Sequence, residues 1–254
     1  MERDLQNKTV VITGGVSGIG LSIVETFLEK NVKAIIILDI DETSGKQVQE
    51  KMNAEYGKNK VIFYKCDVTK DLDVIYEKIM NDFKTVDVLV NSAGVADEIT
   101  PKRTIDLNVT AVVEWSFKFW DHMRKDRFGR GGTIMNLASI SGFKINPFSP
   151  VYQASKFAVM GFTRSLGHEY NYSKFGVRVV AICPGFTETP LCADVKLRVP
   201  EMEKDLQLFM RQNPWQKPEA VGKAAMDVFE TADSGTAWEI ENSRPISQVL
   251  YTFN

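Results

Sequence analysis

Thr9-Val-Val-Ile-Thr-Gly-Gly-Val-Ser-Gly-Ile-Gly20 is the stretch on which the fold turns. Thr9 to Thr13 is a short apolar run that reads as a strand. After the glycines, Ile19, Ile23, Val24, Phe27 and Leu28 recur at the spacing of one helix face. Strand, glycine turn and helix together bring a backbone close to a pyrophosphate resting on a helix N-terminus. Gly14, Gly18 and Gly20 are spaced G-x-x-x-G-x-G rather than G-x-G-x-x-G, but the physical need is the same. A plain tight turn would explain the glycines alone equally well.

The next run sharpens the reading. Lys33-Ala-Ile-Ile-Ile-Leu38 is a second buried strand and ends in Asp39, nineteen residues after Gly20. A carboxylate there can accept hydrogen bonds from the adenosine ribose hydroxyls. It also repels the extra phosphate of NADP, Asp41 adds to that, and neither Val16 nor Ser17 supplies a compensating cation, so NAD is the expected cofactor. Asp39 as a helix N-cap is the alternative, which leaves the glycines unexplained.

Outward from this unit the alternation continues. A helix is expected over 42–56, a strand over 61–65, a helix from near Lys70, and a strand over 86–90 that runs into Asn91-Ser-Ala-Gly94. A long helix over about 101–125 carries Asn108, and a buried strand follows over 133–137. Further strands are expected over 177–182 and 235–240, with helices around Met202, Leu206 and Phe209 or Met210 and over about 218–229. Alternating strands and helices predict one α/β domain over 1–254: a doubly wound parallel sheet with right-handed crossovers and helices on both faces. Ligands of such a sheet bind at the carboxyl ends of its strands, where Gly14 to Gly20, Asp39, Asn91 to Gly94 and Ser139 all fall.

The chemistry is concentrated in Ser139-Ile-Ser-Gly-Phe-Lys-Ile-Asn-Pro-Phe-Ser-Pro-Val-Tyr152-Gln-Ala-Ser-Lys156. A hydroxyl closes a strand and a tyrosine opens the next helix, with a lysine one turn on and on the same face. A free tyrosine has a pKa near ~10, and a neighbouring ammonium favours its phenolate, so the pair suits acid/base work. Tyr-x-x-x-Lys also occurs at Tyr56/Lys60 and Tyr170/Lys174. Gly57 interrupts the first of these, and the last stands at the end of the same helical stretch with Phe157 where a hydroxyl is needed.

Taken with Thr13 to Gly20 and Asn91-Ser-Ala-Gly94, Ser139, Tyr152 and Lys156 resemble the short-chain dehydrogenase/reductase family over nearly the whole chain. The resemblance implies a Rossmann fold and the catalytic residues Asn108, Ser139, Tyr152 and Lys156. It implies NAD contacts from Gly14, Ser17, Gly18, Ile19 and Gly20, from Asp39, Asp67 and Val68, and from Asn91, Ala93 and Gly94. Tyr152 and Lys156 would bind NAD as well, with Pro184, Gly185, Thr187 and Thr189 closing the nicotinamide end. Asp67 contacts the adenine by this carry-over; capping of the helix near Lys70 is the alternative. Ser92 stands where the family more often has a second asparagine.

Phe119-Trp-Asp121, Gly131-Gly-Thr-Ile134, Ser141-Gly-Phe143, Pro150-Val-Tyr152 and Gly235-Thr-Ala-Trp238 look most like insect-type alcohol dehydrogenases and hydroxyprostaglandin dehydrogenases. That implies NAD+-dependent oxidation of a secondary alcohol. Val95, Ile140, Phe143, Phe148, Phe186 and Leu191 are candidate pocket walls. All are apolar, which suits a hydrophobic substrate such as a monoterpenol or other allylic alcohol. The helix near Met202 to Met210 is either an ordinary amphipathic helix or, by its place in the family, part of a substrate lid over about 187–215. A carbonyl reductase would use the same residues in reverse. A nucleotide-sensing interaction module is the non-enzyme alternative.

Composition bounds the rest. The chain of 254 residues is 44% hydrophobic with net charge −2, so it can bury a large core and lacks the basic field that nucleic acid or anionic membranes require. No apolar run approaches the ~18 residues of a membrane span. The N-terminus does not read as a signal peptide, and Cys66, Cys183 and Cys192 are unclustered, so a cytoplasmic protein with reduced thiols is expected. His122 and His168 lack ligand-like neighbours and read as helix-surface residues, so no metal is expected. Trp115, Phe117, Phe119 and Trp120, with Phe157, Met160 and Phe162, either fill the core or pack against a second subunit as a homodimer or homotetramer.

Overall fold

The computed structural model describes residues 3–250. In its first half, β1 (Thr9–Thr13), α1 (Gly18–Leu28), β2 (Ala34–Asp39), α2 (Glu42–Tyr56), β3 (Val61–Lys65), α3 (Leu72–Phe83) and β4 (Val88–Asn91) alternate without interruption. Then follow α4 (Pro101–Ile105), a π-helical turn at Asp106–Thr110, α5 (Ala111–Met123), β5 (Gly132–Leu137), α6 (Pro150–Leu166), α7 (Glu169–Phe175) and β6 (Val177–Pro184). The last part holds β7 (Phe186–Thr187), α8 (Pro190–Ala193), α9 (Glu203–Gln212), β8 (Trp215–Gln216), α10 (Pro218–Thr231), β9 (Ala237–Ile240) and β10 (Ser247–Gln248).

Eight strands form the main sheet in the order β10-β9-β6-β5-β4-β1-β2-β3. All neighbours are parallel except β10, which pairs antiparallel with β9. The chain winds outward from β1 to β3, then crosses back to β4 and winds the other way. The reversal lies between β1 and β4, where the loops diverge and leave a crevice at the carboxyl ends of the strands.

Alternate residues of each strand feed opposite layers, as the pleat demands. Val10, Ile12, Ile35 and Ile37 pack with Ile23, Val24 and Phe27 of α1 and Val221 and Phe229 of α10. Val11, Ile36, Leu38 and Leu89 pack with Ile75 and Ile79 of α3 and Trp115 and Phe119 of α5. A strand buried on both faces is apolar along most of its length, which is why β1, β2 and β6 stand out as apolar runs; the exception in β6, Arg178, is buried with its guanidinium donating to the Ala232 and Phe229 carbonyls.

Several expectations need correction. The segment expected as one helix over 101–125 ends at Met123 and is interrupted by the π turn. The Tyr170/Lys174 pair sits on its own helix, α7, set apart from α6 by Gly167 and His168. The sheet is not wholly parallel, because Ser247–Gln248 adds an antiparallel edge. His122 is not a plain surface residue: its Nε2 accepts the Val86 N–H at 3.2 Å, and burial pulls its pKa below the usual value. His168 does lie at the surface, where its Nδ1 accepts the Tyr170 N–H at 3.2 Å at the start of α7.

Candidate active site

The glycines of the first turn are sterically required. Gly14 has φ 66° and a Cβ there would lie 2.8 Å from the Cα of Ala93; Gly18 has φ 52°. A Cβ on Gly20 would overlap the carbonyl oxygen of Gly14. A side chain at Gly14 or Gly20 would crowd the close approach of β1, the start of α1 and Ser92–Ala93, beside the space a dinucleotide pyrophosphate needs.

Asp39 stands at the end of β2, half-buried, with its Oδ1 accepting the Asp41 N–H at 3.1 Å. Burial raises its carboxyl pKa, and backbone N–H groups of Asp41, Val16 and Ile40 oppose the rise. The cap of α2 is Asp41, whose carboxylate accepts the Ser44 N–H at 3.0 Å and the Ser44 hydroxyl at 2.6 Å. Asp39 is therefore not the N-cap, and it lines the cavity.

Asp67 does not cap α3 either. Its carboxylate accepts the Thr69 N–H at 3.0 Å and pairs with Lys70 at 2.8 Å, the lysine bond being the main reason its pKa falls. The N-cap position of α3 belongs to Asp71, whose carboxylate takes the Asp67 N–H at 2.7 Å.

Among the carried-over residues, Asn91 and Asn108 act on the frame. The Asn91 amide donates to Ser116 Oγ at 2.9 Å and Asn136 Oδ1 at 2.8 Å, and Asn136 donates in turn to Thr163 Oγ1 at 2.9 Å. This buried network ties β4, β5, α5 and α6 together. Asn108 lies in the π turn. It accepts the Val95 N–H at 2.9 Å, donates to the Val95 carbonyl at 2.9 Å, and donates to Ser155 Oγ at 3.1 Å. The extra residue of a π turn swings a side chain out of the regular ladder, and here it grips the loop after β4.

Ser139, just beyond β5, and Tyr152, in the first turn of α6, hydrogen-bond through their side chains. Lys156, one turn on, is buried and donates to the Leu137 carbonyl at 2.8 Å, with its ammonium 5.5 Å from the centre of the Tyr152 ring. Burial dominates both groups. It drives the Tyr152 phenol pKa up, with Cys192 adding to the rise and the Ser139 bond opposing it, and it pulls Lys156 down to about 8. The lowering of Tyr152 expected from Lys156 is thus outweighed in the protein alone, because the lysine is held by β5 and desolvation is the larger effect.

These groups share one cavity of about 980 Å³. Every carried-over cofactor residue lines it except Asn91, as do Ser139, Tyr152 and Lys156. Of the predicted pocket walls, Val95, Ile140, Phe186 and Leu191 line it, while Phe143 and Phe148 do not. Phe148 packs at a tilt against Phe209, 5.4 Å between ring centres, and Phe143 packs against a core cluster that includes Val159 and Met160. Thr187 and Thr189 face the cavity with their hydroxyls donating to the Gly185 and Thr187 carbonyls at 2.9 and 3.2 Å.

The segment 187–215 supplies Cys192, Leu206, Phe209 and Met210, among others, to the lining. The helical spacing of Leu206, Phe209 and Met210 marked that segment in the sequence, but none of the four was placed in the substrate wall; a lone cysteine carries no such signal. Phe209 also meets Phe186 at 6.0 Å, and Phe186 meets Trp215 at 5.5 Å, so an aromatic ladder ties α9 to β7 and β8. Among the described residues no helix is long and apolar enough to cross a membrane.

A family model described as short chain dehydrogenase matches residues 8–199. The chain belongs to the short-chain dehydrogenase family. This short-chain dehydrogenase is an oxidoreductase, and its relatives share most of its length. Alcohol dehydrogenase 2 of Ceratitis cosyra is 31% identical over 252 residues, which cover 98% of this chain and 96% of the relative. The NAD(+) 15-hydroxyprostaglandin dehydrogenase of Rattus norvegicus is 34% identical over 194 residues, 76% of this chain and 73% of the relative. A solved structure of 3-ketoacyl-(acyl-carrier-protein) reductase from Brucella melitensis complexed with NADH matches with a TM-score of 0.79 at 26% identity, covering 94% of this chain and 98% of that one.

Proposed function

We propose that this short-chain dehydrogenase oxidises a hydrophobic secondary alcohol to the ketone with NAD+, a monoterpenol or other allylic alcohol being the favoured substrate class. The observation that carries the reading is the convergence of Ser139, Tyr152 and Lys156 on one cavity, between the glycine cradle and an apolar wall. NAD+ supplies the hydride acceptor and a positive ring charge that favours a phenolate beside it.

The chain's own residues do the rest. Tyr152 Oη takes the hydroxyl proton as general base, and Ser139 Oγ holds the alcohol oxygen in place. Lys156 contributes positive charge and binds the nicotinamide ribose. Asp39 accepts from the adenosine ribose hydroxyls and repels a phosphate placed there, which supports NAD over NADP. The walls formed by Val95, Ile140, Phe186 and Leu191 exclude water from the reacting carbon and select an apolar alcohol.

A hydroxyprostaglandin-type alcohol is the second reading, favoured by the 34% identity to the rat enzyme. The same residues run in reverse would make an NADH-dependent carbonyl reductase. We place the enzyme in the cytoplasm as a homodimer or homotetramer. Of the aromatic residues considered for a subunit contact, Trp115 and Phe119 are buried, whereas Phe117 is 46% and Phe157 39% exposed on adjoining helices, which supports an interface there.

The test is NADH appearance with NAD+ and racemic alcohols ranging from short aliphatic through monoterpenol and farnesol to hydroxyprostaglandin, with Tyr152→Phe as control. Turnover of one class, reduced about 10³-fold in the variant while NADH still binds, is expected. Substantial turnover in Tyr152→Phe would sink the role given to the tyrosine.

A further inference from the structure

The helix that carries Tyr152 and Lys156 is not capped by its own chain neighbour. Ser149 occupies the N-cap position of α6, but its side chain makes no capping bond. The orphan N–H groups of the first turn are taken instead by Glu98, whose Oε2 accepts from Val151 N at 2.8 Å and whose Oε1 accepts from Tyr152 N at 2.8 Å. Glu98 is 1% exposed. A carboxylate at a helix N-terminus is favoured by the backbone dipoles, and its bonds to N–H groups are charge-assisted. Burying it still costs desolvation that a local serine cap would have avoided.

The same short segment holds the lid. The Glu98 N–H donates to the Lys196 carbonyl at 2.8 Å, the Lys196 N–H donates to the Ala96 carbonyl at 3.0 Å, and Asp97 and Lys196 form a parallel bridge. Lys196 lies between α8 and α9. Asp97 stiffens the segment from the other side by accepting the Ile99 and Thr100 N–H groups at 2.9 and 3.0 Å and pairing with Arg103 at 3.3 Å. One stretch, 96–98, therefore grips the lid through its backbone and the catalytic helix through a side chain.

We propose that Glu98 is a positioning residue that links seating of the lid to placement of the Tyr152 hydroxyl. When Lys196 is paired with Ala96 and Glu98, the Glu98 carboxylate is held where it fixes the first turn of α6. When the lid lifts, that anchor loosens and the tyrosine moves away from productive geometry. Misplacement of a reacting group by about 1 Å costs on the order of 10²-fold in rate, so small shifts of this turn suffice.

The inference rests on Tyr152 being the base, and the experiment separates the two. NAD+-dependent turnover of the best alcohol is measured for Glu98→Gln, for Lys196→Pro, which deletes the lid-side N–H, and for the double variant, with NADH affinity read by fluorescence. Glu98→Gln should lower kcat by about 10-fold or more with NADH affinity kept within about twofold. The double variant should be no worse than the poorer single one, because both break one linkage. Glu98→Asp, which keeps the charge on a shorter arm, should recover part of the kcat lost in Glu98→Gln, and it carries the measurement if Glu98→Gln fails to bind NADH.

A wild-type kcat in Glu98→Gln, or losses that multiply in the double variant, overturns the linkage while Tyr152→Phe stays inactive. Loss of NADH binding in both Glu98 variants assigns the residue a general packing role and overturns it as well. An active Tyr152→Phe would instead remove the reading on which the inference stands.

Discussion

Lys156 donates to the carbonyl of Leu137 at 2.8 Å, so the end of β5 holds the lysine, and the Tyr152 ring centre lies 5.5 Å from its ammonium. The lysine is buried and its pKa is pulled from 10.5 to about 8. Its charged form thus destabilises the fold below pH 8, where folded and unfolded chains both carry the proton. The penalty fades as pH rises from about 8 towards ~10.4, the unfolded value. Lys156→Met should raise stability at pH 7 by about 1–3 kcal/mol, less what the Leu137 carbonyl loses. The gain should shrink to nothing above about pH 10, and turnover should be lost. Urea unfolding at pH 7 and pH 10 checks the sign.

Burial raises the carboxyl pKa of Asp39 above the usual carboxylate value. Asp39→Asn should weaken NADH binding by about 10-fold and narrow the preference over NADPH, because one repulsive charge and one strong acceptor leave together. In the unmutated enzyme NADH affinity should fall on acidification at a higher pH than an ordinary carboxylate would dictate. Titration of both cofactors by fluorescence across pH reads both outcomes.

Gly20→Ala should abolish cofactor binding, since the added Cβ overlaps the Gly14 carbonyl and forces the cradle open. Gly161, whose Cβ would meet nothing within 4 Å, is the control: Gly161→Ala in α6 should leave binding intact and stabilise the helix by about 0.5–1 kcal/mol. Equilibrium NADH binding with thermal melts distinguishes the two.

Phe209 lines the cavity and contacts Phe148 and Phe186. Two aromatic pairs at about 0.5–1.5 kcal/mol each imply that Phe209→Ala raises KM for small alcohols by roughly 5- to 100-fold. Larger alcohols should lose less, because the space vacated by the ring is available to them. Equal losses across a size series would show that the ring only supports folding.

Much of the fold was legible because parallel strands covered on both faces have no polar side to disguise them. β1, β2, β3 and β6 fall where their apolar runs lie, and the helix over 42–56 matches α2 residue for residue. The π turn at Asp106–Thr110 was not legible, since it leaves the helical spacing of its neighbours nearly intact. Nor was the edge pairing of Ser247–Gln248, which are exposed and carry no alternation to read. In the site, Tyr152 and Lys156 were readable from a spacing that only a helix makes meaningful. Asn91 shows the opposite case: it ends β4, but its amide bonds Ser116 and Asn136, partners brought in from 25 and 45 residues away, and it does not line the cavity.

By itself the sequence determined the order of elements, the glycine turn, the acid at the end of β2 and the serine, tyrosine and lysine of the site, because each depends on residues close in the chain. Tertiary structure alone decided which groups meet across it. Glu98 under α6, Lys196 on Ala96, Phe209 against Phe148 and Phe186, and the desolvation of Tyr152 and Lys156 all arise from packing between distant segments. Burial and long-range hydrogen bonds depend on where the chain folds back, and no local spacing records that.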